Sequence, residues 1–390
     1  MAIKEIAMKK IIYLDNAATT QMDPKVLESM TPYFVEYYGN PAAIYSLAGE
    51  SGKAVAKART QVAELIGAKR EEIYFTGGGS ESDNWAMKAV ADLYEKEGCH
   101  IITTKIEHHA VLHTCEYLEK RGCKVTYVGV DEAGMVSPQE IEKAIRPDTR
   151  LISVMAANNE IGTIQPLEEI GTIAKAHHIL FHTDAVQAFG HIPIDVEKLQ
   201  VDMLSASAHK IHGPKGVGIL YIRRNVKLGS FIHGGAQEKH RRAGTHNVPA
   251  IVGMGEAAKL AAERMEDSMC KESELRDYLI EKVLAEVPGS ILTGGRDNRL
   301  PNNASFCFGG IEGESLLILL SQQGICGSGG SACSTGAVDP SHVLAAIGVD
   351  KELAKGALRL TVSSRTTKEE LDEAVEAIKE NVARLRSMRV

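Results

Sequence analysis

Long hydrophobic runs are missing from this chain of 390 residues. The densest, Leu316-Leu-Ile-Leu-Leu320, falls far short of the ~20 apolar residues that span a bilayer and reads as the core segment of a helix. Concentrated charge is missing too. A net charge of -7 with 24% charged residues and no block of one sign excludes a nucleic-acid or membrane surface and leaves a small-molecule substrate. Cysteine is sparse: Cys99, Cys115, Cys123, Cys270, Cys307, Cys326 and Cys333 are odd in number and widely scattered, which argues against a disulfide framework. The first ten residues have neither the apolar core of a signal peptide nor the Arg- and Ser-rich character of a transit peptide, and Met8 is as good a start as Met1. A reducing, cytoplasmic setting is expected. No internal repeat or low-complexity tail interrupts the chain, whose length suits two or three domains with a large buried core.

What is present alternates strand and helix. Residues 11–14 form a short apolar strand followed by Asp15-Asn-Ala-Ala-Thr-Thr20, a turn of small side chains. Helical spacing runs over 24–38 until Gly39-Asn-Pro41, and again over 49–66. From Cys99 the order is strand (100–104), helix (110–121), strand (124–128), helix (137–145), strand (149–155), helix (167–177) and the strand that delivers Asp184. That is the pattern of a doubly wound parallel sheet, in which ligands collect beyond the carboxyl ends of the strands. The pattern changes after about residue 262. A long helix over 253–286, with an interruption expected, leads into shorter strands and two more helices. The predicted division is a large domain over 16–262 and a smaller α+β domain made of 1–15 and 263–390.

The chemistry-bearing residues fall at the predicted strand ends. In Glu72-Ile-Tyr-Phe-Thr-Gly-Gly-Gly-Ser80 a strand runs through three glycines into a helix, the outline of a phosphate cradle, with Gly79 and Ser80 at the helix start. It lacks the Gly-Lys-Ser/Thr ending of a nucleotide loop, and a plain turn with a serine cap is the alternative. Asp184 comes off a buried strand, where an unpaired charge is costly and a protonated ring nitrogen would relieve it. Lys210 lies on the turn between the strands predicted over 201–208 and 216–222, placed to form a Schiff base; a surface lysine in a Gly-Pro hairpin is the plainer reading. His108 can stack on an aromatic ring or move a proton, and Asn159 offers an amide to a cofactor oxygen. Residues 356–363 place Arg359 opposite the apolar face of Leu358, Leu360 and Val362, which suits a carboxylate clamp or a surface position. Cys333 sits in a Gly/Ser-rich loop, 324–337. His109 and His113 share a helix face, but the chain lacks His-Glu-x-x-His, so no metal is assigned.

Lysine, carboxylate and glycine-rich helix start are the parts of a pyridoxal 5'-phosphate site. The motifs Tyr13-Leu-Asp-Asn-Ala-Ala-Thr19, Gly39-Asn-Pro41, Glu107-His108, Asn158-Asn-Glu-Ile-Gly162, Asp184-Ala-Val-Gln187, Ser207-Ala-His-Lys210, Gly213-Pro-Lys-Gly216, Arg241-Arg-Ala-Gly-Thr245, Gly330-Ser-Ala-Cys333 and Pro340-Ser-His342 run almost end to end. With them the chain resembles a cysteine desulfurase of the NifS/IscS type, within the class V aminotransferases and the fold-type I (aspartate aminotransferase-like) pyridoxal-phosphate enzymes. The resemblance implies Lys210 as the Schiff-base lysine, Asp184 on the pyridine nitrogen and His108 on the ring. It also implies Asn159 and Gln187 near the ring oxygen, and Ser80, Ser207 and His209 near the phosphate. Thr245 would reach the phosphate of a neighbouring subunit, so a homodimer is expected. Arg359 and Asn159 would hold the carboxylate of L-cysteine, and Cys333 would take its sulfur as a persulfide. The onward acceptor would be a protein such as an iron–sulfur scaffold or a tRNA-thiolation partner.

The chain departs from the family pattern at Ser80, where threonine is usual, at Tyr45, where histidine is common, at His246, where glutamate is frequent, and by one extra glycine in 327–331. These changes bear on substrate range and loop dynamics more than on the cofactor. A selenocysteine lyase, a class V aminotransferase without sulfur chemistry and a non-catalytic scaffold for sulfur-acceptor proteins are the alternatives.

Overall fold

The computed structural model describes residues 10–329 and 341–388. Its strands are β1 (Ile12–Tyr13), β2 (Ile73–Thr76), β3 (His100–Thr104), β4 (Lys124–Val128), β5 (Thr149–Ser153), β6 (Leu180–Asp184), β7 (Met203–Ser207), β8 (Gly218–Ile222), β9 (Ser290–Leu292), β10 (Asn303–Phe308), β11 (Ile325–Cys326) and β12 (Ala357–Thr361). Seven of them build one sheet in the order β2-β8-β7-β6-β5-β3-β4. Only β8 runs against the rest, pairing antiparallel with both β2 and β7. This is the doubly wound, mostly parallel sheet expected from the sequence. The reason is visible in its strands: β3, β5, β6 and β7 lie between helices on both faces, and all their residues but Arg150 and Leu180 are buried.

A second hydrophobic cluster draws its members from both ends of the chain. Ile12 and Leu14 pack with residues from Leu275 onward, around the antiparallel sheet β12-β10-β9. Strand β1 is held there by parallel pairing to β11, Ile12 opposite Ile325.

Three elements differ from the sequence reading. The helix expected over 24–38 is two helices, Pro24–Met30 and Pro32–Val35, because Pro32 has no N–H to continue the first. The helix expected to be interrupted is a continuous helix of 39 residues, Val248–Glu286. No proline or glycine follows Gly255 within it, and its two internal glycines serve packing: a Cβ on Gly253 would meet Met30 Sδ at 2.5 Å and one on Gly255 would meet Ala58 Cα at 2.5 Å. The segment between β7 and β8 carries a short 3-10 turn, Ala208–Lys210, and not an open hairpin loop.

Candidate active site

The carboxyl ends of β2, β5, β6 and β7 open on one pocket of about 310 Å³. Gly79, Ser80, His108, Asn159, Asp184, Gln187, Ser207, His209, Lys210 and Arg359 all line it. Thr245 is exposed and outside this chain's pocket, and Cys333 lies outside the described residues.

Beyond β2, Gly78 takes φ 151°, and Gly79 begins the helix Gly79–Leu93. A Cβ on Gly79 would stand 2.5 Å from Val186 Cγ2, so only glycine lets the helix start approach the loop after β6. Ser82 fixes that first turn by hydrogen bonds to Thr76 Oγ1 at 2.8 Å and the Ile219 carbonyl at 2.9 Å. The first-turn N–H groups have no partner within the helix and carry the positive end of its dipole, a setting for an anion.

Asp184 ends β6, 5% exposed, and Val186 N–H donates to its Oδ1 at 2.9 Å. Burial raises its pKa, against the pull of His108 and Lys210. His108 caps the helix His109–Glu119, its Nδ1 accepting from Ala110 N–H at 3.1 Å. Burial lowers its pKa, and a neutral ring that accepts at Nδ1 carries its proton on Nε2.

Lys210 Nζ donates to the carbonyls of Ala17 at 2.5 Å and Ala18 at 2.8 Å. The turn that carries it is latched to the 15–20 loop: Thr20 N–H donates to the His209 carbonyl at 2.9 Å, and His209 Nδ1 lies 3.2 Å from Thr19 Oγ1. Burial, with Lys210 and Lys215 nearby, lowers the His209 pKa to about 4. Gln187 completes the clasp, Nε2 donating to the Ala17 carbonyl at 3.0 Å.

Arg359 is not a surface residue. It is 3% exposed on β12, with Nη1 on the Asn159 carbonyl and Nη2 on Asp15 Oδ1, each at 2.8 Å. Its buried Nε has no partner among the described residues. A guanidinium so anchored offers an unspent donor to a ligand carboxylate.

Sequence reasoning passed over the acids beneath this pocket. Glu107 was visible only as the neighbour of His108, yet it is fully buried; Thr104 Oγ1 and Met155 N–H donate to its Oε1, and burial raises its pKa to about 8. Asp83 lies one helical turn after Gly79, also buried and lining the pocket. In sequence it reads as one more polar residue in Ser-Glu-Ser-Asp-Asn, and nothing local marks it. At the mouth, the His109 ring stands 5.0 Å from that of His113 and 4.9 Å from that of His342.

A family model for aminotransferase class V matches residues 12–374. The chain belongs to the class V aminotransferase family. A cysteine desulfurase IscS of Methanosarcina thermophila is 54% identical over 379 residues, covering 97% of this chain and 94% of that one. Among solved structures, a NifS-like protein superposes with a TM-score of 0.91 at 43% identity, covering 96% of this chain and 100% of the other. A protein described as SspA in complex with cysteine matches with a TM-score of 0.81 at 39% identity, over 92% of this chain and 100% of that one. The architecture is therefore that of fold-type I, and the class V family implies pyridoxal phosphate as cofactor.

Proposed function

We propose that this class V protein is a pyridoxal-phosphate-dependent cysteine desulfurase, converting L-cysteine to L-alanine and passing the sulfur through a persulfide on Cys333 to an acceptor protein. The observation that carries the reading is the convergence of Lys210, Asp184, the Gly79 helix start and Arg359 on one pocket.

The residues fit the cofactor. Asp184 is a buried carboxylate whose one hydrogen bond among the described residues comes from Val186 N–H, and a protonated ring nitrogen would supply a further partner. The Gly79 helix start, with Ser80, Ser207 and His209, would hold the phosphate; His108 would cover the ring, and Asn159 and Gln187 would flank its oxygen. When bound, pyridoxal phosphate supplies a carbonyl for an amine and a sink for the charge left at Cα.

The protein's own residues do the rest. Arg359 binds the substrate carboxylate through the donors left free by Asp15 and Asn159, which fixes Cα in one orientation. Lys210, steered by the Ala17 and Ala18 carbonyls, takes the Cα proton as the free amine and returns it at the end. The Cys333 thiol then receives sulfur: the Cβ–S bond of cysteine breaks, an S–S bond forms on Cys333, and the protons balance as L-cysteine plus thiol giving L-alanine plus persulfide. The division into a domain over 16–262 and one formed by 1–15 and 263–390 places Arg359 and Cys333 on the second and the cofactor residues on the first. Thr245 contributes to the pocket of the other subunit in a homodimer. The protein works in the cytoplasm with an iron–sulfur scaffold or a tRNA-thiolation protein as acceptor.

The test is a pair of variants. Lys210→Ala should lose the yellow absorbance and all turnover. Cys333→Ala should keep the colour and release no sulfur to an acceptor; normal transfer by that variant would sink the role given to the thiol. Pyruvate or glyoxylate in place of alanine would mark an aminotransferase.

A further inference from the structure

Asp83 is 1% exposed, lines the pocket, and presents an Oδ1 without a partner among the described residues. The charged groups that act on it are the carboxyls of Asp184 and Glu107, and no Lys or Arg among the described residues pairs with it. Facing it are Asp184 and His182 from β6, Ser205 from β7 and Glu107 from the loop after β3. The His182 ring is 3.7 Å away through Nε2, but both its nitrogens are already engaged, Nδ1 with Ser153 Oγ and Nε2 with Ser205 Oγ, each at 2.9 Å. Burial holds that ring neutral, lowering its pKa to about 3. Three buried carboxyl groups are thus coupled at one site, and their donors are unequal. Asp184 has Val186 N–H and the positive influence of His108 and Lys210; Glu107 has two hydrogen bonds; Asp83 has the hydroxyl of Ser205. Coupled like charges this buried do not ionise together, so the charge settles on Asp184, the one with cations acting on it.

We propose that Asp83 is a second acid of the site, a positioning residue that keeps its proton while Asp184 is ionised and so sets how much negative charge the pocket presents to the cofactor ring. Burial, and then the charge of Asp184, push its pKa well above the usual carboxylate range. With the cofactor bound, its ring nitrogen would meet one carboxylate while Asp83 keeps its proton. Loss of that proton at higher pH adds a second negative charge to the pocket, which would favour the protonated ring.

The proposal rests on the cofactor reading above, and the experiment separates the two. Infrared spectra of the apoprotein, with aspartate labelled at the carboxyl carbon, should show at neutral pH the carbonyl stretch of a protonated acid, and Asp83→Asn should remove it. No such band in the wild type, or its survival in the variant, overturns the assignment whether or not a cofactor binds. In the loaded protein, the absorbance of bound pyridoxal phosphate is titrated with pH. Asp83→Asn should shift its midpoint by about one pH unit, a roughly tenfold change in proton affinity, and Asp83→Glu should restore it. A titration curve unchanged in Asp83→Asn also overturns the proposal. Wild-type protein that binds no pyridoxal phosphate would sink the cofactor reading and leave the infrared result standing.

Discussion

Two regions of this molecule bury a glutamate, and they treat it in opposite ways. In the turn after β8, Glu238 is 6% exposed and fully provided for: Arg59 grips both oxygens at 2.6 and 2.7 Å, His246 Nε2 approaches at 2.7 Å, and Phe75 N–H donates at 3.0 Å. These partners outweigh burial and draw its pKa down to about 2. Beneath the pocket, Glu107 has two neutral donors and, among the described residues, no cation and no partner for Oε2, and rises to about 8. The difference separates a structural charge from a site that stores protons. Glu238 locks a backbone that resists its own shape, since Glu238, Lys239 and His240 take φ values of 46°, 58° and 64° in succession. Each such non-glycine residue costs on the order of 1 kcal/mol. One of the residues that departs from the family pattern takes part in this clamp: His246 faces Glu238.

The contrast is open to three tests of decreasing size. Glu238→Ala leaves the half-buried Arg59 guanidinium with the Ile73 carbonyl but without its carboxylate, and should lower unfolding stability by about 2–4 kcal/mol, read by urea denaturation. The same charge gives an acid limit: because its folded pKa lies below the unfolded value, its contribution is complete above about pH 4.5 and is lost as pH falls towards 2. Glu107→Gln should act with the opposite sign. The folded protein holds the Glu107 proton up to about pH 8 while the unfolded chain releases it near pH 4.5, so this residue weakens the fold progressively between those values. The glutamine variant should therefore gain about 1–3 kcal/mol relative to wild type between pH 5 and 8, and a difference independent of pH would break the comparison. The smallest effect belongs to the partly exposed pair Arg242–Glu81, joined at 2.8 Å. Arg242→Ala should cost no more than about 1 kcal/mol, and less in high salt.

Much of this was legible in the sequence, and the boundary is physical. Strands β3, β4 and β10 fall at the residues expected; β3 and β10 are central in their sheets and buried throughout, while β4 at the sheet edge shows itself by its β-branched and aromatic residues. Arg359 was legible by parity alone: Leu358 and Leu360 point to the core, so it shares the opposite face with Thr361. Lys210, Asp184 and Gly79 stood out because a lysine after a buried strand, a carboxylate off one and three glycines before a helix are each unusual locally. Asp83 was not legible, since what makes it unusual is His182 and Asp184, a hundred residues away and brought near only by the sheet. The left-handed turn at Glu238 was hidden for the same reason: its cause is Arg59, far upstream. Pro32 was the one local signal that could have been read and was not.

The pairing of β1 with β11 has a consequence for the time course of folding. Ile12 is among the first residues described and its partner Ile325 lies near the other end. At synthesis rates of about 5–20 residues per second, the leading strand waits on the order of tens of seconds for its neighbour. Meanwhile the seven-stranded sheet, complete by Ile222, is free to form. Ile12 and Leu14 stay uncovered throughout that delay, so a nascent chain stalled before β11 presents an unpaired apolar strand while most of its pocket is already assembled.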